Sequence, residues 1–511
     1  MKNKSDRFSS LLRVLLPAAL TMAIAIPAAA QAGGGGQSTQ SVPLSQVERK
    51  NRAPINKEVL QPKIPKPSET TLPNGLTVLI LEDHRLPMVN VQLQINGSGG
   101  LCEPTSTRGL AGFTAQLLRE GTATRTSKQI AEDIDRLGAS FSATATFTAM
   151  NTGVNASGLS ENFDQWMPIV VDSLLHPLFP ASELEILKQR TKAGLQAQRG
   201  NAAFLALERF NKAVYGDFPA ATMSMTVETV DALKPETLAQ WHHDHYLPQN
   251  TILAISGDVQ TAALLAKLKQ WFGEWQKTDV KPVFPTGPSP ATMKRVFLVD
   301  RPNSVQTNLY MGNIAIDRRS PDYYALNVLN RILGGSAAAR LFMNLRENKG
   351  YTYGAYSSFT ALSYAGAWNA NSEVRTDVTD GAMTEFLVEL NRIRDEKVPT
   401  TELEEAKRSI VASFALSLES PQTIMGYAVT RKIFGFADDY WDKYPAQIMG
   451  VTADDVQRVA QKYVNPATMQ IVAVGDGTKI KSVMEKYGPV EVYSTEGKPA
   501  AAKSAAAPRT N

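Results

Sequence analysis

One long-period repeat restricts the folds open to this chain more than any other feature. Tyr246, Leu247 and Pro248, followed by Gly257 and Asp258, recur as Tyr463, Val464, Asn465 and Pro466, followed by Gly475 and Asp476. The offset is 217 residues for the tyrosines and 218 for the glycines. A pair of apolar strand patterns, Leu76–Leu81 and the alternating Met88–Ile95, recurs as Val296–Val299 and Thr307–Met311. The helical pattern Gly109–Arg119 then has its counterpart in Asp322–Leu333. Self-similarity of this kind indicates a duplicated domain. Two period-2 strands, helices, two more strands and then helices is an α+β pattern. The expected architecture is two homologous lobes from a duplicated domain, each a mostly antiparallel sheet packed by helices.

The rest of the chain arranges itself around that repeat. Residues 1–32 resemble a secretory signal: a basic start (Lys2, Lys4, Arg7, Arg13), an apolar stretch at Val14–Ile26 and a small-residue site at Ala30, Gln31 and Ala32. Pro17 and Pro27 bound and break the apolar run, which favours cleavage over anchoring, and no later stretch is long and apolar enough to span a bilayer. A Gly/Pro/Ser-rich flexible lead is expected at 33–68, a first lobe at 69–275, a Pro-rich linker at 276–292, a second lobe at 293–490 and a disordered tail at 491–511. Within the first lobe, Asn74 and Gly75 form a turn signal, Ser127 reads as the cap of a helix to Leu137, and Ser140–Phe147 and Thr152–Ser157 read as paired strands. The net charge of +4 falls to about +1 without residues 1–32, so charge gives no argument for nucleic acid. Cys102 is the only cysteine, which rules out an internal disulfide.

Chemistry concentrates at Leu341–Ser357. Leu341, Phe342 and Leu345 have helical spacing, Gly350 supplies a helix stop, and Tyr351–Phe359 reads as a strand. Arg346 therefore sits just before the stop and Tyr353 just after it. Two such donors aimed at one point are what a developing oxyanion requires. The ordinary alternatives are an arginine complementing the helix dipole and a tyrosine half-buried on a strand.

The run Leu333, Gly334, Gly335, Arg340, Leu341, Phe342, Leu345, Arg346, Glu347, Gly350, Tyr353 and Ser357 resembles the C-terminal half of the pitrilysin/insulinase-like zinc peptidases. That family includes the mitochondrial processing peptidase and the core subunits of the cytochrome bc1 complex. The resemblance covers about 69–487. It implies that the arginine–tyrosine pair reaches a substrate bound at a zinc ion in another domain. Ala339 departs from the serine usual before Arg340, Leu341 and Phe342, and leaves the pair untouched.

The same resemblance exposes a loss. Catalytic members carry His-x-x-Glu-His on the first-lobe helix, with two ligands on one helical face and a glutamate to activate water. Here the flanks fit, but the ligand positions are Gly112 and Gln116 and the base position is Ala115. Counting back from Tyr215, Gly216 and Asp217 puts the last ligand position near Gly194. Glycine and alanine have no donor atom, and a glutamine amide is a poor zinc ligand. No catalytic zinc is expected in this chain. Among the five histidines, His242, His243 and His245 cluster at a helix C-terminus, where partly charged imidazole is comfortable. His84 and His176 read as isolated surface residues.

The resemblance and the loss together imply a non-catalytic, substrate-binding subunit of a heterodimeric periplasmic zinc peptidase, inactive alone. Zinc is expected in a homologous partner with an intact His-x-x-Glu-His, and unfolded peptides are the expected substrates. A scaffold subunit, or a stand-alone peptide-binding protein with no part in proteolysis, are the competing expectations.

Overall fold

The computed structural model describes residues 62–500. The expected signal, the lead up to residue 61 and the tail from residue 501 lie outside the described residues. The first lobe contributes six strands: β1 (Ser68–Thr71), β2 (Thr77–Glu82), β3 (Met88–Asn96), β4 (Ser140–Thr144), β5 (Asn151–Leu159) and β6 (Thr251–Gly257). Six more follow in the second: β7 (Arg295–Asp300), β8 (Gln306–Ile314), β9 (Thr352–Phe359), β10 (Ala367–Arg375), β11 (Gln470–Gly475) and β12 (Val490–Tyr493). The sheets run β1-β2-β6-β3-β5-β4 and β12-β7-β11-β8-β10-β9. The fold is thus α+β with two homologous lobes. The five strands from β2 to β4 repeat, position for position, as those from β7 to β9. In both, the first repeated pair (β2 with β6, β7 with β11) is parallel, and the rest are antiparallel.

Strand β3 shows the alternation read from its sequence, with Val89, Val91, Leu93 and Ile95 buried. Strands β2 and β6 do not alternate; each is a nearly continuous buried run. Both faces of this part of the sheet are covered. The first lobe's own helices cover one face. On the other lies a second-lobe helix, Pro421–Phe434, whose Ile424, Met425, Ala428 and Val429 cluster with Leu79, Leu81 and Ala254. The arrangement is reciprocal. The first-lobe helix Ala202–Tyr215 lies on the outer face of the second sheet, with Leu205, Ala206 and Phe210 against Phe297, Val299, Val472 and Val474. Gly312 on β8 makes room there, since a Cβ would come within 3.0 Å of the Phe210 ring. Each lobe therefore completes the other's core.

Three local details differ from the sequence reading. Thr126, not Ser127, caps the Ser127–Arg136 helix, through a capping box closed by Gln129. The segment after Arg340–Phe342 is a π-turn, Met343–Asn348, in place of an α-helical turn. Residues 491–493, assigned to a disordered tail, belong to β12, which pairs in parallel with β7; four residues flanked by Gly488 and Ser494 are too short to register as a pattern.

Candidate functional site

The first-lobe locus is built on the helix Leu110–Leu117. It starts after Gly109, held in the left-handed region at φ 99°. Its N-terminal donors are taken by a side chain that sequence reasoning missed. Glu103 accepts from the Gly109 N–H at 2.8 Å and the Ala111 N–H at 2.5 Å. Burial pushes the Glu103 carboxyl up to about 7, against the opposing effect of those two N–H groups and of Arg108. An acid six residues ahead of a helical glycine was the only sequence signal. It lies beyond the span of a usual capping box.

Gly112 and Gln116 face a cleft of about 180 Å3, closed on the far side by Thr191, Leu195 and Gln198 of the helix Ala181–Arg199. The Gln116 amide is turned back on its own helix and donates to the Gly112 carbonyl at 3.3 Å. Ala115 is buried. A Cβ on Gly112 would stand 3.2 Å from the Ala145 carbonyl oxygen, so the backbone approaches closely there. Gly194 is exposed with nothing within 4 Å of a Cβ position, and its neighbours Thr191 and Leu195 face the cleft instead.

These residues do not fit a zinc ion. The cleft offers hydroxyl and amide oxygens and one carboxylate, Glu103, whose two oxygens already accept backbone N–H groups. Among the described residues no group of three or more His, Cys, Asp or Glu side chains is placed to hold a metal. Nor do the helix-end histidines supply one. His242 bonds through Nε2 to the Leu174 carbonyl at 2.8 Å, and His245 through Nδ1 to the Gly97 carbonyl at 2.7 Å while stacking on Trp241. A carbonyl can only accept, so each of those nitrogens carries hydrogen. Burial holds His242 down to about 4 and lowers His245 also, so the expectation of partly charged imidazole gives way to neutral, packed rings. His84, read as isolated, pairs with Asp258 at 2.7 Å.

The second-lobe locus is held differently. The π-turn is tied to the helix Thr379–Asp395 on both sides. Asn344 donates to Glu385 at 3.0 Å and to Glu389 at 2.8 Å, and Lys349 pairs with Glu385 at 2.7 Å. Leu345 anchors it in the core, and Gly350, at φ 64°, ends it. Arg346 emerges from this clamp about half exposed, its guanidinium 4.8 Å from the Phe342 ring and 3.5 Å from Glu347.

Tyr353 is 89% exposed, and its hydroxyl has no hydrogen-bond partner among the described residues. The register of β9 explains this. Ala355 and Ser357 are buried, and a regular strand would bury Tyr353 with them, because residues two apart share a face. Between the pairs Ser372–Ala355 and Val374–Thr352, however, Tyr353 and Gly354 together oppose the single residue Glu373. This bulge flips the strand's facing and turns Tyr353 outward. Thr352 Oγ1 fastens it, donating to the Glu373 carbonyl at 2.6 Å and accepting from the Gly354 N–H at 3.0 Å. The sequence marks the glycine but not the bulge, which is a property of two strands. The cleft at Gly112 is lined by first-lobe residues alone, so Arg346 and Tyr353 are not brought into it.

Known proteins share this arrangement. Residues 77–226 match the family model described as Insulinase (Peptidase family M16), and residues 232–410 match the Peptidase M16 inactive domain. A protein of Bacillus subtilis described as the uncharacterized zinc protease YmxG is 26% identical over 363 residues, 70% of this chain and 85% of its own length. A Rickettsia felis protein described as an uncharacterized zinc protease is 25% identical over 419 residues, 78% of this chain and 96% of its own. The crystal structure of a peptidase M16 inactive domain from Pseudomonas fluorescens covers 80% of this chain and 98% of itself, with 26% identity and a TM-score of 0.74. That of a Helicobacter pylori protease, 18% identical, covers 81% and 100% with the same TM-score and shares the fold. With both lobes matched in sequence and the whole two-lobed architecture matched in structure, the chain belongs to peptidase family M16, the pitrilysin/insulinase-like peptidases.

Proposed function

We propose that this chain is the non-catalytic, substrate-binding subunit of a two-chain zinc peptidase that cleaves unfolded peptides in the periplasm. A homologous partner with an intact His-x-x-Glu-His supplies zinc and the water-activating glutamate. Arg346 and Tyr353 act in trans, as donors to the substrate carbonyl and to the oxyanion that forms from it. The observation that carries this reading is the bulge at Tyr353. It exposes a phenol with a free hydroxyl on the strand that follows the clamped turn bearing Arg346, while the first-lobe cleft has no donor set for zinc. The signal-like residues 1–32 support export.

The test is reconstitution with a zinc-bearing homologue, taking a neighbouring gene's product first. Arg346→Ala and Tyr353→Phe should each lower kcat/KM of the pair by about 10²–10³-fold, the usual effect of losing one oxyanion donor. Unchanged kcat/KM in both variants would leave a scaffold role and remove the proposed one.

A further inference from the structure

A large cavity lies away from both loci. It has a volume of about 860 Å3 and lies where the helices Ala181–Arg199 and Ala202–Tyr215 meet β7 and the C-terminal segment after β12. That size is typical of ligand sites, which favour domain junctions of this kind. Its apolar lining comes from Leu205, Met223, Met225 and Val299. Its charged lining is mostly basic: Lys192, Arg199, Arg209 and Lys212, against Glu208 and Glu496.

The nearby carboxylates are already engaged. Glu208 takes Arg199 through both oxygens at 2.7 Å and also accepts from Ser224. Glu491 takes Arg295 through both oxygens at 2.8 Å. Lys192 pairs with Asp231, and Glu496 accepts from Thr495 Oγ1 at 2.8 Å. Arg209 has none of these. Its guanidinium lies 4.2 Å from the Tyr493 ring centre and 5.1 Å from that of Phe297, and its Nε is buried without a hydrogen-bond acceptor. No ion pair or hydrogen bond to Arg209 occurs among the described residues. The two rings hold the guanidinium in place while its N–H groups have no acceptor among the described residues. That geometry suits a carboxylate taken through two parallel bonds. Lys212, exposed and without an ion pair, adds a second positive charge in the same cavity.

We propose that this interlobe cavity binds a carboxylate of an extended peptide, with Arg209 as its bidentate anchor and Lys212 as its electrostatic support. The carboxylate is either the peptide's C-terminus or an acidic side chain. The inference concerns this chain alone and stands apart from the roles of Arg346 and Tyr353.

Fluorescence anisotropy on the purified chain tests it with three labelled peptides of alanine, glutamine and serine. One has a free C-terminus, one is amidated, and one is amidated with a single internal glutamate. At least one carboxylate-bearing peptide should bind about tenfold tighter than the plain amide, as expected for a charge-assisted bidentate contact. Which one does so identifies the source of the carboxylate. The difference should shrink as salt rises from about 50 to about 300 mM. Arg209→Gln should abolish it, and Lys212→Gln, an exposed change that spares the fold, should reduce it about threefold. Because Arg209 also packs on two rings, Arg209→Lys serves as a second variant that keeps the charge and loses the fork. Equal affinity for the three peptides, or an undiminished carboxylate preference in the folded Arg209→Gln and Arg209→Lys variants, would overturn the site.

Discussion

The two lobes share five strands and differ in what completes the sheet. In each, the strand after the lobe's last long helix (β6 or β11) leads into another helix, Thr261–Trp271 or Gly477–Glu485. After the first of these the chain leaves for the second lobe. The sheet position beside β2 is filled from the N-terminal side by β1, antiparallel, through the turn at Asn74 and Gly75. After the second the chain turns back, and β12 fills the equivalent position in parallel. The five-strand unit is thus what was duplicated, and its open edge takes whichever end of chain lies at hand. The opposite edges differ in build. β4 is short and regular and borders the Leu110–Leu117 helix. β9 is longer and bulged, and it presents Tyr353.

The reciprocal helices offer the largest test of how equal the lobes are. Phe210 belongs to the first lobe by sequence and to the second by packing; Met425 is the converse, and both are buried. Phe210→Ala should cost about 3–5 kcal/mol and Met425→Ala about 2–5 kcal/mol, the range for deleting well-packed core side chains. Denaturant unfolding followed by fluorescence should show one cooperative transition in each variant. A second transition in either would mean that the lobes melt apart and do not depend on each other equally.

A smaller test uses pH. The repeat places Tyr246 and Tyr463 at equivalent helix ends, but their electrostatics are opposed. The first end holds neutral His242. The second holds Asp322, which accepts from Arg458, Lys462 and Tyr463 and is thereby lowered to about 2 despite its burial. The His242 imidazole titrates near 4 when folded and near its ordinary 6.5 when unfolded, so the unfolded chain binds more protons between those values. Its contribution is intact above pH 6.5 and is lost as pH falls toward 4, amounting to about 2 kcal/mol at pH 5. Asp322 behaves as a depressed carboxylate: its contribution persists until pH drops below about 3.8 and disappears as pH falls toward 2. Glu103, raised to about 7, acts in the opposite sense in the same lobe, so the His242 effect is read by difference: from pH 7.5 to pH 5, hydrogen exchange on the Pro235–His245 helix should speed up more in the wild type than in His242→Gln, with no such difference in the second lobe. An equal change in the wild type and the variant would mean that the two helix ends are alike after all.

Much of the fold was legible because it is local or repeated. The alternation at Met88–Ile95, the glycine stop at Gly350 and the recurring Tyr/Pro and Gly/Asp motifs each leave a mark on one stretch of chain. What escaped depends on two stretches at once. The continuous burial of β2 and β6 reflects a helix more than 160 residues further on. β10, with Asn369 and Asn371 facing outward, is a strand mainly because β8 and β9 flank it. At the candidate site, the family resemblance singled out Arg346 and Tyr353 as candidates. By parity alone Tyr353 would have been buried, and only the pairing with β10 shows it turned out. Glu103 escaped because its partners are backbone N–H groups at an irregular distance.

The smallest effect concerns Gly112 and Gly194, two of the expected ligand positions. Gly112 costs the Leu110–Leu117 helix about 1 kcal/mol relative to alanine in an exposed position. If relaxed selection alone had left it there, Gly112→Ala should recover most of that. The Ala145 carbonyl oxygen, 3.2 Å from a Cβ at this position, argues otherwise: a methyl group there must push the backbone of the 145–147 segment outward by a few tenths of an ångström. The two terms oppose, so Gly112→Ala should change stability by less than about 0.5 kcal/mol in either direction. The equivalent change at Gly194, exposed and with nothing near, should stabilise by about 0.5–1 kcal/mol through helix propensity alone. A full gain at both positions would show that the Leu110–Leu117 helix is no more closely packed at Gly112 than the Ala181–Arg199 helix is at Gly194, and that the contrast with the clamped second-lobe turn lies only in side chains, not in backbone.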